Sequence, residues 1–374
     1  MNRKLRVGVI FGGRSGEHEV SLVSATSVIN ALDKQKYEIV PIGITPQGRW
    51  LSSSRALGLL QSKGELDGEV ERILVPEPHR HSLIAVAGEG DAAQPLDVIF
   101  PVVHGTYGED GTLQGLLDLA DIPYVGAGVL ASAVGMDKIV QKQLFAEAGL
   151  PIVRYVWFHS SVCRQKSAAA CRRVEKQLRY PVFVKPANTG SSVGISKAHN
   201  RVELRAALRL ATEYDRKVIV EQGVKDAREI ECSVLGNDEP EASIPGEIIP
   251  SNEFYDYDAK YVDGKSRAII PAKLPRVVTS AIRKLAVEAF RVIDCSGMAR
   301  VDFFVTKGRG KIYLNEINTI PGFTAISMYP KMWESSGVSY PQLLDRLITL
   351  AIERHREMAS RRTTFTPGKE WYRS

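Results

Sequence analysis

The sequence is poor in cysteine, and its few cysteines show no functional spacing. There are four in 374 residues, with no C-x-x-C pair and no Cys/His pattern of the kind that binds zinc. This excludes a disulfide-stabilised secreted scaffold and a cysteine-based metal centre. Reduced thiols are typical of a cytoplasmic protein. The four cysteines are Cys163, Cys171, Cys232 and Cys295.

Long apolar runs and a strong charge bias are also missing. The N-terminal apolar run, VGVIF, has only the length of a strand and no small-residue cleavage site follows it, so we expect a cytoplasmic protein without a membrane span. The net charge is +6, but the charges are interspersed and no aromatic-plus-basic module appears. Nucleic acid and membrane are therefore not expected as partners. No internal repeat or low-complexity segment is visible.

The chain instead shows the mixed pattern of a large globular protein. Its first third alternates strands with helices, which predicts a parallel sheet covered by helices. A small α+β segment and a segment richer in strands follow. We therefore expect an N-terminal parallel α/β domain at 1–126, a central α+β domain at 127–222, a C-terminal mixed-sheet domain at 223–358 and a polar tail at 359–374.

Several elements are predicted in more detail. One helix is expected over Val129 to Ala148, closed by Gly149 and Pro151. Residues 52–95 are the least regular part and are expected to hold an insertion of hairpin and loop.

The stretch KIYLNEINTIPGF raises a chemical question. It reads as a strand in which Glu316 and Asn318 share a face, because residues two apart in a strand point the same way. The segment MARVDFFV reads as an antiparallel partner, joined through Gly308-Arg309-Gly310. In that register Lys307 faces Lys311, Asp302 faces Glu316, and Arg300 faces Asn318.

Four polar groups would then converge on one face of an otherwise apolar strand pair. Two carboxylates and an amide oxygen suit Mg²⁺ or Mn²⁺, which commonly bind substrate phosphates as well. The arginine would contact an anion. A solvated face with a cross-strand ion pair is the simpler alternative, and it would be preferred for a lone Glu-x-Asn. Four converging groups favour a metal–phosphate site.

A second phosphate-binding signal is FVKPANTGSSVG. Lys185 ends a strand just before a turn in which Gly190 and Gly194 allow tight backbone and offer N–H groups to an anion. The same residues match the G-x-S-x-G elbow of hydrolases, but Pro186-Ala-Asn-Thr separates the strand from the serine. A phosphate clamp is therefore favoured over a nucleophile.

Together these motifs resemble those of the ATP-grasp enzymes, and within them the D-alanine–D-alanine ligases. The resemblance extends to about residue 355, with no departure at the motif positions. The motifs are FGGRSGEHEVS, HGTYGEDGTLQG, MDK, FVKPANTGSSVG, EIECSVLG, FYDYDAKY, MARVDFF and NEINTIPGFT. The resemblance implies an ATP-grasp fold, ATP and two Mg²⁺ or Mn²⁺ ions as cofactors, D-alanine as substrate, a homodimer, and a role in peptidoglycan precursor synthesis.

The resemblance also implies residue roles. The metal ligands would be Asp302, Glu316 and Asn318. The nucleotide would be held by Lys138, Lys185, Gly190, Ser191, Ser192, Val193, Glu221, Gln222, Val224, Glu229 and Lys260. The D-alanines would be bound by Glu17, His104 and Ser327. Catalytic roles would fall to Glu17, Ser191, Arg300, Gly322 and Tyr261.

Simpler explanations exist for individual residues. Glu17 could only favour the start of the helix that follows it, His104 could be a satisfied histidine at the edge of the core, and Tyr261 could be a packing residue. Lys138 alone would be read as a surface lysine. Their occurrence within the motifs favours the functional reading.

Three alternatives remain from the sequence. The first is another ligase of the same fold, such as a D-alanine–D-lactate ligase or a different amino-acid ligase. The second is a nucleotide-binding module without catalysis, against which the retained Arg300 argues. The third is a dinucleotide-dependent dehydrogenase, which VGVIFGG suggests, but GGRSGE does not fit G-x-G-x-x-G.

Overall fold

The structure is a computed structural model of the chain. It describes residues 3–63, 71–78, 80–86, 94–249, 267–308, 310–324 and 326–365. Within them no helix is both long enough and apolar enough to traverse a bilayer.

The N-terminal part contains the predicted parallel sheet. In chain order its elements are β1 (Leu5–Gly12), α1 (His18–Ala31), β2 (Tyr37–Ile44), β3 (Trp50–Leu51), α2 (Ala56–Ser62), β4 (Arg72–Leu74), β5 (Ser82–Ala85), β6 (Gln94–Pro95), β7 (Val98–Pro101) and α3 (Thr112–Leu119). The main sheet has the order β3-β2-β1-β7, with β1 parallel to both β2 and β7. The irregular region forms a separate small sheet, β4-β5-β6.

The helix predicted over Val129 to Ala148 is two helices, α4 (Val129–Met136) and α5 (Lys138–Glu147). The break falls at Asp137, which has extended backbone and accepts hydrogen bonds from the N–H groups of Ile139 and Val140. Aspartate is a preferred N-cap because its side chain satisfies N–H groups that have no partner at a helix start. The prediction of a single helix was therefore wrong, because Asp137 starts a second helix at this point.

The central part is a four-stranded sheet covered by helices. Its elements are β8 (Tyr155–His159), α6 (Ser160–Gln165), α7 (Ser167–Gln177), β9 (Val182–Pro186), β10 (Ser196–Ala198), α8 (Arg201–Tyr214) and β11 (Lys217–Gln222). The strand order is β10-β9-β11-β8, and all pairings are antiparallel. The carboxyl end of β11 and the amino end of β9 therefore lie side by side.

The C-terminal part holds the largest sheet. Its elements are β12 (Ala227–Gly236), β13 (Glu241–Ala242), β14 (Gly246–Ile249), β15 (Arg267–Ile269), α9 (Arg276–Val292), β16 (Gly297–Thr306), β17 (Ile312–Asn318), α10 (Met328–Ser335) and α11 (Tyr340–Ala359). The strand order is β15-β14-β12-β16-β17, and β13 pairs with β12. Strand β17 is thus the outer strand on one side.

The predicted pairing of β16 with β17 is confirmed where the polar residues lie. Arg300 pairs with Asn318 and Asp302 with Glu316, but the register shifts immediately beyond Asp302. The shift is a β-bulge that leaves Asn315 without a pairing partner. The predicted pairing of Lys307 with Lys311 is therefore wrong, and Thr306 donates its N–H to the Lys311 carbonyl instead.

Helix α11, near the end of the described chain, packs against the N-terminal part. Leu343, Leu347 and Ala351 share a buried apolar core with residues of β1, α1 and β7. Arg354 donates to the Ser296 hydroxyl at 2.8 Å and to the Tyr124 carbonyl at 3.1 Å. The N-terminal sheet and the six-stranded sheet are therefore packed into one body around this helix.

Candidate active site

A cavity of about 430 Å³ lies between the central sheet and the six-stranded sheet. Its walls come from the loop after β9, from the end of β11 and from the paired strands β16 and β17. The predicted site residues that line it are Lys138, Lys185, Gly190, Ser191, Ser192, Glu221, Gln222, Val224, Glu229, Arg300, Asp302, Glu316 and Asn318. Residues far apart in sequence are thus assembled around one space.

The polar face of β16 and β17 forms one wall. Arg300 donates two hydrogen bonds of 2.8 Å to the two carboxylate oxygens of Asp302, and its Nε lies 3.2 Å from a Glu231 oxygen. The Asn318 amide donates to Asp302 at 3.1 Å. Burial would lower the pKa of Arg300, but the charges of Asp302, Glu231 and Glu316 outweigh it and raise the pKa well above its ordinary value. The guanidinium is a fixed positive charge.

Beneath this face lies a buried group of two lysines and a glutamate. Lys185 Nζ is 2.8 Å from one oxygen of Glu221, and Lys142 Nζ is 3.1 Å from the other. Burial would raise the pKa of Glu221, but the two lysine charges lower it below its ordinary value. Burial would likewise lower the pKa of Lys185, but Glu221 and Glu316 raise it overall. Lys185 therefore reaches the cavity as a cation.

The pKa of Lys142 moves the other way. Its side chain is 1% exposed, and this burial outweighs the attraction of Glu221 and Glu316, so that the pKa is lowered. Lys142 is the most deeply desolvated member of the group.

The glycine- and serine-rich loop after β9 closes over the cavity. Ser191, Ser192 and Gly194 all have positive φ, at 45°, 60° and 72°. Left-handed backbone of this kind makes a tight turn, in which the Val193 N–H donates to the Gly190 carbonyl at 3.0 Å. Lys138 Nζ donates to the Thr189 carbonyl at 2.7 Å, which places its charge under the loop.

A hydrogen bond joins the loop to the N-terminal domain. The Ser191 hydroxyl donates to Glu17, which lies just before α1. Two glycines provide the space for this carboxylate. A Cβ added at Gly105 would lie 2.7 Å from Glu17 Oε2, and one added at Gly190 would overlap the same oxygen.

His104 lies behind Glu17 and is 3% exposed. Its Nε2 is 2.9 Å from the Ser24 hydroxyl and its Nδ1 is 3.4 Å from a Glu109 oxygen. Burial would lower the pKa of His104, but the hydrogen bond and charge of Glu109, together with Glu17, raise it. Burial and the nearby Glu17 also raise the pKa of Glu109.

Gly322 and Ser327 lie in the loop between β17 and α10. A Cβ at Gly322 would be 2.8 Å from Ser327 Oγ, so the glycine allows the two residues to approach. Ser327 Oγ accepts a hydrogen bond from the Thr324 N–H at 3.0 Å. These two residues, with Val193, Glu17 and His104, are not among the residues that line the 430 Å³ cavity. Tyr261 and Lys260 lie outside the described residues.

Four residues at the site were missed by the sequence reasoning. Gln141 and Glu109 line the cavity, Lys142 pairs with Glu221, and Lys197 lines the wall beside the Phe183 ring. Lys142 follows Lys138 by four residues, a spacing that places both on one helix face. That spacing was the available signal, but an isolated lysine is ordinarily read as a surface residue.

The three-part α/β architecture, with this lysine-rich and carboxylate-rich cavity between two sheets, defines an ATP-grasp ligase. Family models match two long stretches of the chain: the D-ala D-ala ligase N-terminus matches residues 6–127, and the D-ala D-ala ligase C-terminus matches residues 144–349. The chain belongs to the D-alanine–D-alanine ligase family, as its motifs predicted.

Similar proteins agree with this assignment over nearly the full length. The D-alanine–D-alanine ligase of Thermoanaerobacter sp. (strain X514) is 54% identical over 95% of this chain and 98% of its own. That of Geobacillus kaustophilus is 48% identical over 98% of this chain and 100% of its own.

Solved structures agree as well. The D-alanine–D-alanine ligase of Coxiella burnetii has a TM-score of 0.82 at 38% identity, covering 96% of this chain and 97% of its own. The VanG D-Ala:D-Ser ligase of Enterococcus faecalis has a TM-score of 0.83 at 38% identity, covering 93% and 100%.

Proposed function

We propose that this chain joins two D-alanines to D-alanyl-D-alanine at the expense of ATP, for peptidoglycan precursor synthesis. The observation that carries the proposal is the cavity wall in which Asp302 and Glu316 face each other beside Lys185. This wall can hold a triphosphate next to the loop that Ser191 joins to Glu17. A carboxylate substrate held near Glu17 would then lie close to the terminal phosphate.

We propose that Asp302, Glu316 and Asn318 hold two Mg²⁺ or Mn²⁺ ions. The donors are all oxygen atoms and come from directly paired residues. Asp302 already accepts from Arg300, but a carboxylate has about four lone-pair sites and can bind a cation as well.

The number of protein carboxylates is also suitable for Mg²⁺. Within the described ranges no group of three or more His, Cys, Asp or Glu is placed to hold a metal. Mg²⁺ is normally held by one or two carboxylates together with substrate phosphates, which is the set available here. When bound, the ions would neutralise charge on the triphosphate.

The proposed reaction has two steps. A carboxylate oxygen of the first D-alanine bonds to the γ-phosphorus, and the bond to the leaving ADP oxygen breaks, which gives an acyl phosphate. The amine of the second D-alanine then bonds to the acyl carbon. The amine loses a proton and inorganic phosphate leaves. Phosphoryl transfer depends chiefly on positioning and charge neutralisation, roles that we assign to Lys138 and Lys185.

The second step develops negative charge on the acyl oxygen. We propose that Arg300 and the Gly322 N–H stabilise it, because fixed donors are most effective when they need no reorganisation. Arg300 suits this role, since Asp302 and Glu231 hold it in place.

The substrate contacts follow the same scheme. We propose that Glu17 holds the ammonium of the first D-alanine, with His104 nearby, and that Ser327 binds the carboxylate of the second. Ser191 and Tyr261 would close the site. Glu221, Gln222 and Val224 would border the adenine, Glu229 the ribose, and Gly190, Ser192, Val193 and Lys260 the phosphates.

Two further proposals concern the whole chain. We propose a homodimer, as the family resemblance implies, and light scattering at defined concentrations tests it. We also propose a cytoplasmic location, because the reaction consumes ATP.

The deciding experiment is phosphate release from ATP with mass analysis of the product. D-Alanine is supplied alone and then together with D-lactate, D-serine or L-alanine as the second substrate. The proposal predicts fast release with D-alanine alone and D-alanyl-D-alanine as the main product. A main product containing lactate or serine would move the chain to another specificity, and ATP binding without turnover would favour a binding module.

A further inference from the structure

Strand β17 is the outer strand of the six-stranded sheet, yet it carries two of the proposed metal ligands. An outer strand presents one row of N–H and C=O groups away from its neighbouring strand. On β17 the Leu314 N–H donates to the Pro151 carbonyl at 2.6 Å, and the segment from Asn315 to Asn318 follows that contact. Strands of this kind are the least constrained part of a sheet. A ligand set that needs fixed geometry therefore requires another source of support on the open side.

Helix α5 supplies that support through two adjacent side chains. Gln141 Oε1 accepts the Ile317 N–H at 3.1 Å, and Lys142 Nζ donates to the Asn315 carbonyl at 2.7 Å. Both residues are 1% exposed. The other end of the Gln141 amide donates to the Gly135 carbonyl at 2.8 Å, which fixes the orientation of the side chain. We call Gln141 and Lys142 the α5 clamp.

The clamp contacts β17 at the point where the strand geometry is irregular. Asn315 is the bulge residue, which has no partner on β16. The two clamped residues, Asn315 and Ile317, alternate along the chain with Glu316 and Asn318. Because side chains alternate between faces, the backbone orientation at the clamped positions decides where the two ligands point.

The same clamp reaches the nucleotide side of the cavity. Lys142 also pairs with Glu221, whose second oxygen pairs with Lys185. The start of α5 is anchored to the central sheet, since the Lys138 N–H donates to the Ala187 carbonyl at 3.0 Å and Lys217 pairs with Asp137. One helix thus connects the phosphate-binding lysine to the strand that carries the carboxylate.

We infer that Gln141 and Lys142 are positioning residues for the ligation reaction, which set the direction of Glu316 and Asn318 and keep them in register with Lys185. This role rests on the proposed function, but the clamp itself is a property of the nucleotide-free protein. The clamp acts through protein groups, because the Gln141 amide bonds to the Ile317 N–H and the Gly135 carbonyl, and Lys142 Nζ bonds to the Asn315 carbonyl and pairs with Glu221. Its loss should lower turnover more than it weakens D-alanine binding, because the proposed D-alanine contacts at Glu17, His104 and Ser327 are not among the residues that line the cavity.

The test uses four single variants of the full chain. Gln141→Met keeps the side-chain length and Lys142→Met shortens it by one atom, and both remove the polar contacts. Gln143→Met is the matched control, because Gln143 is exposed on the same helix. Gln141→Glu keeps an acceptor oxygen for the Ile317 N–H and serves as the conservative variant.

The first readout is hydrogen exchange of the nucleotide-free protein. In Gln141→Met we expect the Ile317 amide to exchange at least about fivefold faster, as loss of one net hydrogen bond implies. Peptides from β12 should not change, and neither should the Gln143→Met protein. This readout does not depend on which reaction the protein catalyses.

The second readout is steady-state kinetics. For Gln141→Met and Lys142→Met we expect kcat to fall by about 10- to 100-fold, as for other residues that orient metal ligands. The KM for D-alanine should stay within about twofold, and Gln141→Glu should recover part of kcat. Unchanged Ile317 exchange in Gln141→Met, or equal kcat in Gln141→Met and Gln143→Met, would overturn the inference. Absence of ligase activity in the wild type would instead overturn the proposed function and leave the exchange result standing.

Discussion

The Ser191 hydroxyl donates a hydrogen bond to the Glu17 carboxylate across 174 residues of sequence. This contact joins the loop over the cavity to the segment before α1. The two substrates of a ligase must meet, and this is the point where the proposed ATP site touches the proposed amino-acid site. Closure of the loop and binding of D-alanine should therefore be linked through Ser191.

Replacing Ser191 with alanine should weaken this link. We expect Ser191→Ala to raise the KM for D-alanine and to lower kcat by about tenfold or more, since a hydrogen bond to a charged group contributes about 1.5–3 kcal/mol. Steady-state kinetics and the melting temperature check this. Ser62→Ala, at an exposed serine in α2, is the control and should match the wild type. Wild-type kinetics in Ser191→Ala would remove the contact from the mechanism.

Gly190 tests the same contact by sterics. A methyl group at this position would overlap Glu17 Oε2. We expect Gly190→Ala to lower kcat/KM for D-alanine by about tenfold or more while the fold persists, because one misplaced contact at a site costs far more activity than stability. Gly58→Ala is the matched control, since the space around Gly58 is open. It should keep full activity, and its melting temperature should not fall, because alanine favours helix over glycine.

The sequence identified the β16–β17 pair because the pattern there is local. Alternation places Arg300, Asp302, Glu316 and Asn318 on one face, and a short hairpin fixes the partner strand. The bulge at Asn315 could not be predicted in the same way. The residues that bond to this part of β17, Lys142 and Gln141, lie on a helix more than 170 residues earlier in the chain.

Buried charged residues are the second feature that the sequence did not predict. The sequence analysis did not single out Lys142, because burial of an unpaired lysine is unfavourable and a lysine is ordinarily expected at the surface. Its burial becomes possible only once Glu221 and the Asn315 carbonyl lie beside it. The break at Asp137 has a similar origin, since the aspartate caps α5 and pairs with Lys217 from β11. The N-cap and the four-residue lysine spacing are local signals, but the partners Lys217, Glu221 and Asn315 are distant in sequence and have no local signature.

The His104–Glu109 pair predicts a pH dependence. The pKa of His104 is raised, so its contribution to stability is complete below the ordinary value of about 6.5 and is lost as pH rises through the folded value. In Glu109→Gln, burial should dominate and the pKa of His104 should fall. Stability should then decrease less with rising pH than in the wild type.

NMR titration of the His104 ring and melting temperatures from about pH 5 to pH 9 measure these effects. His104→Gln identifies the resonance among the seven histidines. A His104 pKa that is the same in the wild type and in Glu109→Gln would show that Glu109 does not stabilise the imidazolium.

Glu316 provides the most direct test of the proposed metal–phosphate site on β16 and β17. It faces Asp302 directly across the strands, and its charge acts on Lys185, Lys142 and Arg300. Glu316→Gln keeps the size of the side chain but removes that charge. If the carboxylate neutralises cations that bind the triphosphate, turnover should fall by about 100-fold or more. The fold should survive, because the amide can occupy the same volume.

Glu334→Gln, at an exposed position in α10, is the matched control and should keep wild-type activity. Titration of Mn²⁺ into each protein with a non-hydrolysable ATP analogue provides a readout without turnover, and binding should weaken in Glu316→Gln alone. A folded Glu316→Gln protein with normal activity and normal Mn²⁺ binding would exclude this strand pair as the metal site and require the ions to be held elsewhere.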